Sequence, residues 1–292
     1  MTNTRVEVRR RIGISLLGAV TAVVVACNTP DAVAQFCSAA VATLGAGSSI
    51  FRDMKGSCLR EVNSRSSLAS FAVAKEDPDC AEIGKQANAA IAASQVVADY
   101  FAAVNALASF DSGKVGTSAS DLVDKASGIA KVGTNTKNAL EALSKFLATA
   151  LTSGYQRRQL ARDLPQTSQS AIVVLDALSA IVRDDYVEGL LTSEQQKLGD
   201  QYKEFVLTKQ TIAPLSVEAQ LALYDRWRSD QDTILARRTT AEKFVTALQS
   251  ISKGLSSLAA NADRITAKEL IALLKPYASQ LETLIPAIQK AL

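Results

Sequence analysis

Apolar residues along this chain recur mainly at steps of three and four, and the runs are separated by clusters of Gly, Ser, Asp and Pro. That period is the signature of amphipathic helices. A first helix is predicted from about Pro30 to Leu44, with Gly45-Ala46-Gly47-Ser48-Ser49 ending it. Residues 50–77 have the weakest pattern, and Asn63-Ser64-Arg65-Ser66-Ser67 interrupts it because such side chains compete for backbone hydrogen bonds. Asp77-Pro78-Asp79 reads as an N-cap, a first-turn proline and an acidic first turn, opening a helix to about Phe110. In it Ile83, Ala87, Ala90, Ser94, Val97, Phe101, Val104 and Ala108 form a coiled-coil-like seam of mostly small residues.

Shorter helices are predicted from Ser118 or Ser120 to Lys131, and from Thr134 to a stop before Pro165. Thr167-Ser168 should cap an apolar segment from Ala171 to Val182, in which Asp176 argues against a membrane span. Ser193-x-x-Gln196 has the form of a capping box that restarts the helix, and Pro214 ends it. Ser216 begins a long helix through Leu221, Tyr224, Trp227, Ile234, Phe244, Leu248, Ile251 and Leu255, read as one core-facing stripe. Thr266-x-x-Glu269 starts the last helix, whose seam is Leu270, Leu274, Tyr277, Leu281, Leu284 and Ile288, and which Pro276 and Pro286 should bend. No alternating strand run, phosphate loop or internal repeat is present. The expected fold is all-α, an elongated up-and-down bundle of long amphipathic helices.

Composition strengthens the helical reading, since alanine is abundant and aromatic residues make up only 5%. Charge changes the picture once it is divided. The net +3 resides in residues 1–26, where Arg5, Arg9, Arg10 and Arg11 face Glu7, leaving 28 basic and 28 acidic residues beyond. A neutral remainder has no global attraction for nucleic acid, so none is expected as a partner. Histidine is absent, which excludes Ser and Cys nucleophiles that rely on a His base and removes the commonest zinc ligand. No catalytic constellation, metal site or cofactor is expected.

The leader carries an address. Arg9-Arg10-Arg11 precedes the uncharged run Ile12 to Ala26, shorter than the roughly 20 residues a bilayer span needs, and small residues follow. The run ends in Val24-Val25-Ala26-Cys27, which resembles the lipobox of bacterial lipoproteins. The resemblance is confined to the leader. It implies a signal peptide of residues 1–26, cleavage before Cys27, a diacylglyceryl thioether on Cys27 and acylation (palmitate-type chains) of the new amino terminus. The mature domain would then be residues 27–292, a cell-envelope lipoprotein facing the periplasm. Asn28 at the second mature position implies delivery to the outer rather than the inner membrane. Ala32-Val33-Ala34 offers a rival cleavage site, leaving Gln35 first and the protein soluble in the periplasm or secreted. That cut would remove the helix start at Thr29-Pro30-Asp31.

Cys37, Cys58 and Cys80 remain, enough for one disulfide and one free thiol in an oxidising compartment. Cys58 with Cys80 closes the weak stretch and is the favoured pair. Cys37 with Cys80 is the rival if residues 58–75 form a full helix.

Three clusters merit weighing. Asp184-Asp185-Tyr186 supplies two carboxylates, but adjacent helical residues point about 100° apart and read as a solvated face. Arg157, Arg158 and Arg162 lie near an expected helix C-terminus and suit its partial charge or a lipid headgroup, beside the blander solvated face. Arg226-Trp227-Arg228 has the composition of a binding hot spot, yet reads first as a core tryptophan with snorkelling neighbours. The resulting expectation is a lipid-anchored envelope protein, not an enzyme, serving interaction or structure with an unnamed protein partner. The alternatives are a bundle that carries a small apolar ligand and a membrane-active protein exposing segment 171–182.

Overall fold

The computed structural model describes residues 29–65, 77–108, 133–150, 157–212, 215–261 and 267–290. Seven α-helices account for nearly all of them: α1 Thr29–Arg65, α2 Pro78–Ala108, α3 Thr134–Ala150, α4 Arg157–Ala180, α5 Thr192–Ile212, α6 Val217–Asn261 and α7 Ala267–Gln289. A π-helical segment, Ile181–Leu191, joins α4 to α5 without a break. No strand occurs among the described residues, so the all-α bundle predicted from periodicity is the fold. Cys27 and the predicted 118–131 helix lie outside the described residues.

Helix α1 is the centre of the bundle, packing on α2, α7, α5, α6 and the π segment. Asp77 caps α2 as expected, its Oδ1 accepting from the backbone N–H of Asp79 at 3.0 Å and of Cys80 at 3.2 Å. The α2 seam is buried from Ala87 to Val104, with Ile83 half-buried. Along α7, Leu274, Leu281 and Ile288 are buried and Leu270, Tyr277 and Leu284 are half-buried, so the seven-residue seam holds there too. The helix continues through Pro276 and Pro286.

Four predicted boundaries are corrected. Gly45 to Ser49 does not end the first helix, which runs on to Arg65. Tertiary packing explains why glycine is there. A Cβ on Gly47 would lie 2.1 Å from Cζ of Phe244, so the missing side chain lets that ring sit on the α1 backbone. The contact is reciprocal, since a Cβ on Gly254 of α6 would lie 2.6 Å from Phe36 of α1. Both rings are buried and held edge-on by others, Phe244 by Phe51 at 5.9 Å between centroids and Phe36 by Phe101 at 5.8 Å. The two glycines are close-approach sites for antiparallel helices rather than breaks.

Pro165 does not stop a helix but lies inside α4. Thr167 and Ser168 therefore cap nothing. Both are buried, and Tyr100 Oη lies 3.2 Å from Ser168 Oγ and 3.4 Å from Thr167 Oγ1. Ser193-x-x-Gln196 starts no helix either, because the chain is already helical through the π segment. In each case burial of Leu164, Ala171, Val174, Leu175, Leu178, Ile181 and Val182 on the core outweighs the local signal. Segment 171–182 is thus core, with Asp176 on its exposed side.

Cys58 and Cys80 form the disulfide, with 5.5 Å between their Cα atoms and 22 residues of sequence separation. Cys37 is the free thiol, buried to zero exposure, and burial pushes its pKa up to about 12. Such a thiol is inert at neutral pH. Reducing the disulfide is expected to destabilise the protein by about 3 kcal/mol through loop entropy. Urea unfolding of the full chain with and without reductant tests this. An unchanged midpoint would show the bridge to be energetically idle.

Candidate functional site

A stretch of α5 and α6 stands outside the core. No residue of 195–207 or 215–233 is buried, and the hydrophobic core cluster skips from Leu191 to Ile234. These segments form a helical hairpin arm, with Ser216 Oγ accepting from the N–H of Ala219 at 3.2 Å to start α6. The arm's helices are tied by Tyr202 Oη donating to Asp230 Oδ2 at 2.8 Å and by Gln195 Nε2 donating to Gln231 Oε1 at 2.9 Å.

An ionic cluster fastens the base of the arm to the bundle. Asp53, Ser57 and Arg60 lie on one stripe of α1, four and three residues apart. Arg60 donates to Asp53 Oδ1 at 3.0 Å and Oδ2 at 2.8 Å, and its Nε donates to Glu194 Oε1 at 2.6 Å. Arg237 of α6 donates to the same Glu194 oxygen at 3.1 Å. Ser57 donates to Glu194 Oε2 at 2.5 Å, and Tyr186 of the π segment donates to Asp53 Oδ2 at 2.6 Å. Glu194 exposes only 7% of its side chain and Asp53 17%. Burial by itself would lower the Arg60 pKa, but its hydrogen bonds and charge pairing with Glu194 and Asp53 outweigh that and hold it above its ordinary value. Burial, then the Asp53 charge, pushes the Tyr186 hydroxyl up, so it remains a donor. Two carboxylates meet two guanidiniums, and the cluster is neutral.

The π segment brings its parts together. Thr192 Oγ1 donates to the Val187 carbonyl at 3.1 Å where the segment passes into α5. Tyr186 and Glu194, on either side of Leu191, both reach α1. Between the cluster and the arm lies a polar cavity of about 320 Å³ bordered by Arg60, Glu194, Gln201, Asp230 and Arg237.

Farther along, an apolar groove of about 500 Å³ opens between the arm's helices, lined by Tyr202, Val206 and Leu207 on α5 and by Leu223, Tyr224 and Trp227 on α6. Gly199 has open space where a side chain would stand. The Tyr224 and Trp227 rings are 5.7 Å apart. The strongly exposed large hydrophobic residues among the described ones all belong to α5 or α6: Leu207 55%, Val217 68%, Leu221 59%, Tyr224 55% and Leu235 46%. Isolated exposed leucines are ordinary, but here four of the five stand on one arm.

The predicted clusters fare differently. Asp184, Asp185 and Tyr186 diverge as their spacing requires. Asp184 pairs with exposed Arg183 at 2.7 Å, Asp185 accepts from Gln86 at 2.8 Å, and Tyr186 turns inward to Asp53. Arg157, Arg158 and Arg162 do not lie at a helix C-terminus. All three lie in α4, far from its end at Ala180, and Arg162 is exposed. Trp227 is not a core residue but half-buried in the groove, Tyr224 is exposed at the groove's edge, and Leu221 is exposed. The ionic cluster was missed because its partners come from four separate segments. The stripe Asp53-Ser57-Arg60 along one side of α1 was its one visible trace. Among the described residues no three His, Cys, Asp or Glu side chains gather as a metal site.

Two helices, Ala32–Ser64 and Pro78–Leu107, are long and apolar enough by composition to cross a membrane, and their apolar windows are 50% and 72% buried within the molecule. Compared with protein-family models, with curated proteins and with solved structures, the chain matches none of them.

Proposed function

We propose that this protein is a lipid-anchored interaction module of the bacterial cell envelope, tethered through Cys27 and presenting the α5–α6 arm to a protein partner, without catalysis of its own. The observation that carries this reading is the concentration of exposed apolar residues on an arm fastened to the bundle by buried charges. A disulfide between Cys58 and Cys80 suits an exported protein. Ala32 and Val33 are buried in α1, so cleavage before Cys27 keeps packing that a cut after Ala34 would remove. Delivery to the outer membrane follows from Asn28 by the lipobox resemblance.

The test joins tether and surface. Cys27→Ser should move the protein from the membrane to the soluble fraction or leave an uncleaved precursor. A photo-crosslinking residue at Leu221 should give a defined protein adduct in intact cells, while one at Glu242, exposed on the body of α6, should not. A protein that begins at Gln35 and is soluble would remove the tether. Equal adducts at both positions, or none, would remove the interaction surface.

A second reading rests on the apolar groove, whose size falls in the range of small-molecule sites. There the arm carries a small apolar ligand between Trp227 and Val206. Native mass spectrometry would reveal a bound ligand that Trp227→Ala loses.

A further inference from the structure

One face of α6 is exposed over six turns, with Tyr224 at its edge also bordering the groove against α5. On a helical wheel of 3.6 residues per turn, Val217, Leu221, Tyr224, Arg228, Asp232, Leu235 and Thr239 fall within about 40° of a common line. All seven are exposed. Val217, Leu221 and Tyr224 on one side and Leu235 on the other are apolar, and Arg228 and Asp232 between them are charged. The stripe is also self-complementary about Arg228. In an antiparallel pairing centred there, Leu221 meets Leu235 of a second copy and Val217 meets Thr239. Arg228 then faces Arg228 of the other helix, each guanidinium flanked by Asp225 and Asp232 about one turn to either side on that helix, and Tyr224 meets Asp232. Among the described residues Asp225, Arg228 and Asp232 form no ion pair or hydrogen bond, so these charges are available to a partner. Arg226, by contrast, points to the opposite side and pairs with Asp230 at 3.5 Å.

We infer that the partner of the arm is a second copy of this chain, joined by two-fold antiparallel pairing of the α6 faces centred on Arg228. The inference rests on the interaction-module reading and specifies its partner. A two-fold axis requires one surface to complement itself, and a stripe whose Leu221 and Leu235 pair across the axis, around two guanidiniums set among four carboxylates, does so. Two helices alone make a small interface, so the pairing is weak in dilute solution. Tethering copies to one membrane raises their effective concentration and favours it.

The register gives the test. In the full chain expressed in its own envelope, Arg228→Cys places two thiols at the axis, and mild oxidation should give a dimer-sized band on a non-reducing gel. Arg226→Cys, facing away, should give at least tenfold less. Leu221→Cys alone should link poorly, because its two copies would be about 21 Å apart along the axis. Co-expressed Leu221→Cys and Leu235→Cys chains should link to each other. The disulfide and buried Cys37 leave few competing thiols. Dimers from Arg228→Cys no more abundant than from Arg226→Cys would overturn the inference. So would efficient linking of Leu221→Cys to itself, which denies the register. If the Leu221 photo-probe yields an adduct with a different protein while the cysteine dimers are absent, the self-pairing fails and the interaction-module reading stands. If neither appears, both fail.

Discussion

Phe244→Ala is expected to destabilise the protein by about 4 kcal/mol, the usual range for deleting a buried aromatic ring. The ring is fully buried between α1 and α6, edge-on to Phe51 and with its tip at Gly47. Gly47, which faces the ring's tip, has no side chain to fill the hole. The partner change, Gly47→Ala, adds a methyl whose carbon would lie 2.1 Å from the ring. Alanine gains about 1 kcal/mol of helix propensity over glycine. Overpacking of a well-filled core costs about 1–3 kcal/mol, and this clash is deep enough to win. We expect a net loss of about 1–2 kcal/mol. The double variant should lose less than the sum, since the methyl occupies space the ring has left. Urea denaturation of the four chains measures the coupling. Additive losses would mean that ring and glycine do not contact as described.

Glu194→Ala is expected to remove about 3 kcal/mol, the lower end of the range for breaking a buried ion pair. The carboxylate accepts from Ser57, Arg60 and Arg237, and its loss leaves two guanidiniums facing Asp53 alone. Arg60 retains about a third of its exposure, and water screens part of the penalty, hence the lower end. Glu194→Gln keeps one acceptor oxygen and should lose less. The effect should be local as well as global. Amide hydrogen exchange should quicken along 195–233 before it quickens in α2, because the cluster fastens the arm and the α2 seam does not depend on it. A loss below about 1 kcal/mol with unchanged exchange in the arm would show that the cluster does not fasten it.

For a protein that presents an arm, these two sets of contacts have separate duties. The ring-on-glycine pair sets how closely α1 and α6 approach, and so where α6 leaves the core. The ionic cluster lies at that exit. Apolar packing between similar helices tolerates small shifts, whereas Arg60 must reach Asp53 and Glu194 at hydrogen-bond distance. The cluster therefore fixes the direction of the arm more sharply than packing does.

What the sequence determined by itself was the local and periodic part. The helical class, the α2 cap at Asp77, the start of α6 at Ser216 and the α2 and α7 seams follow from cap chemistry and from steps of three and four, which act within a few residues. The Cys58–Cys80 pairing was legible for a related reason, as a short closure across a weak stretch. Tertiary structure decided whatever depended on a neighbour distant in the chain. Gly47 looks like a helix end until Phe244 is laid against it, and Pro165 looks like a stop until Leu164 and Ala171 are buried around it. Asp53, Arg60, Glu194 and Arg237 look like surface charges until α1, α5 and α6 bring them together. The stripe through Leu221 and Tyr224 has the same period as the core stripes. Periodicity shows that a helix has an apolar face, but only the arrangement of the other helices decides whether that face is covered.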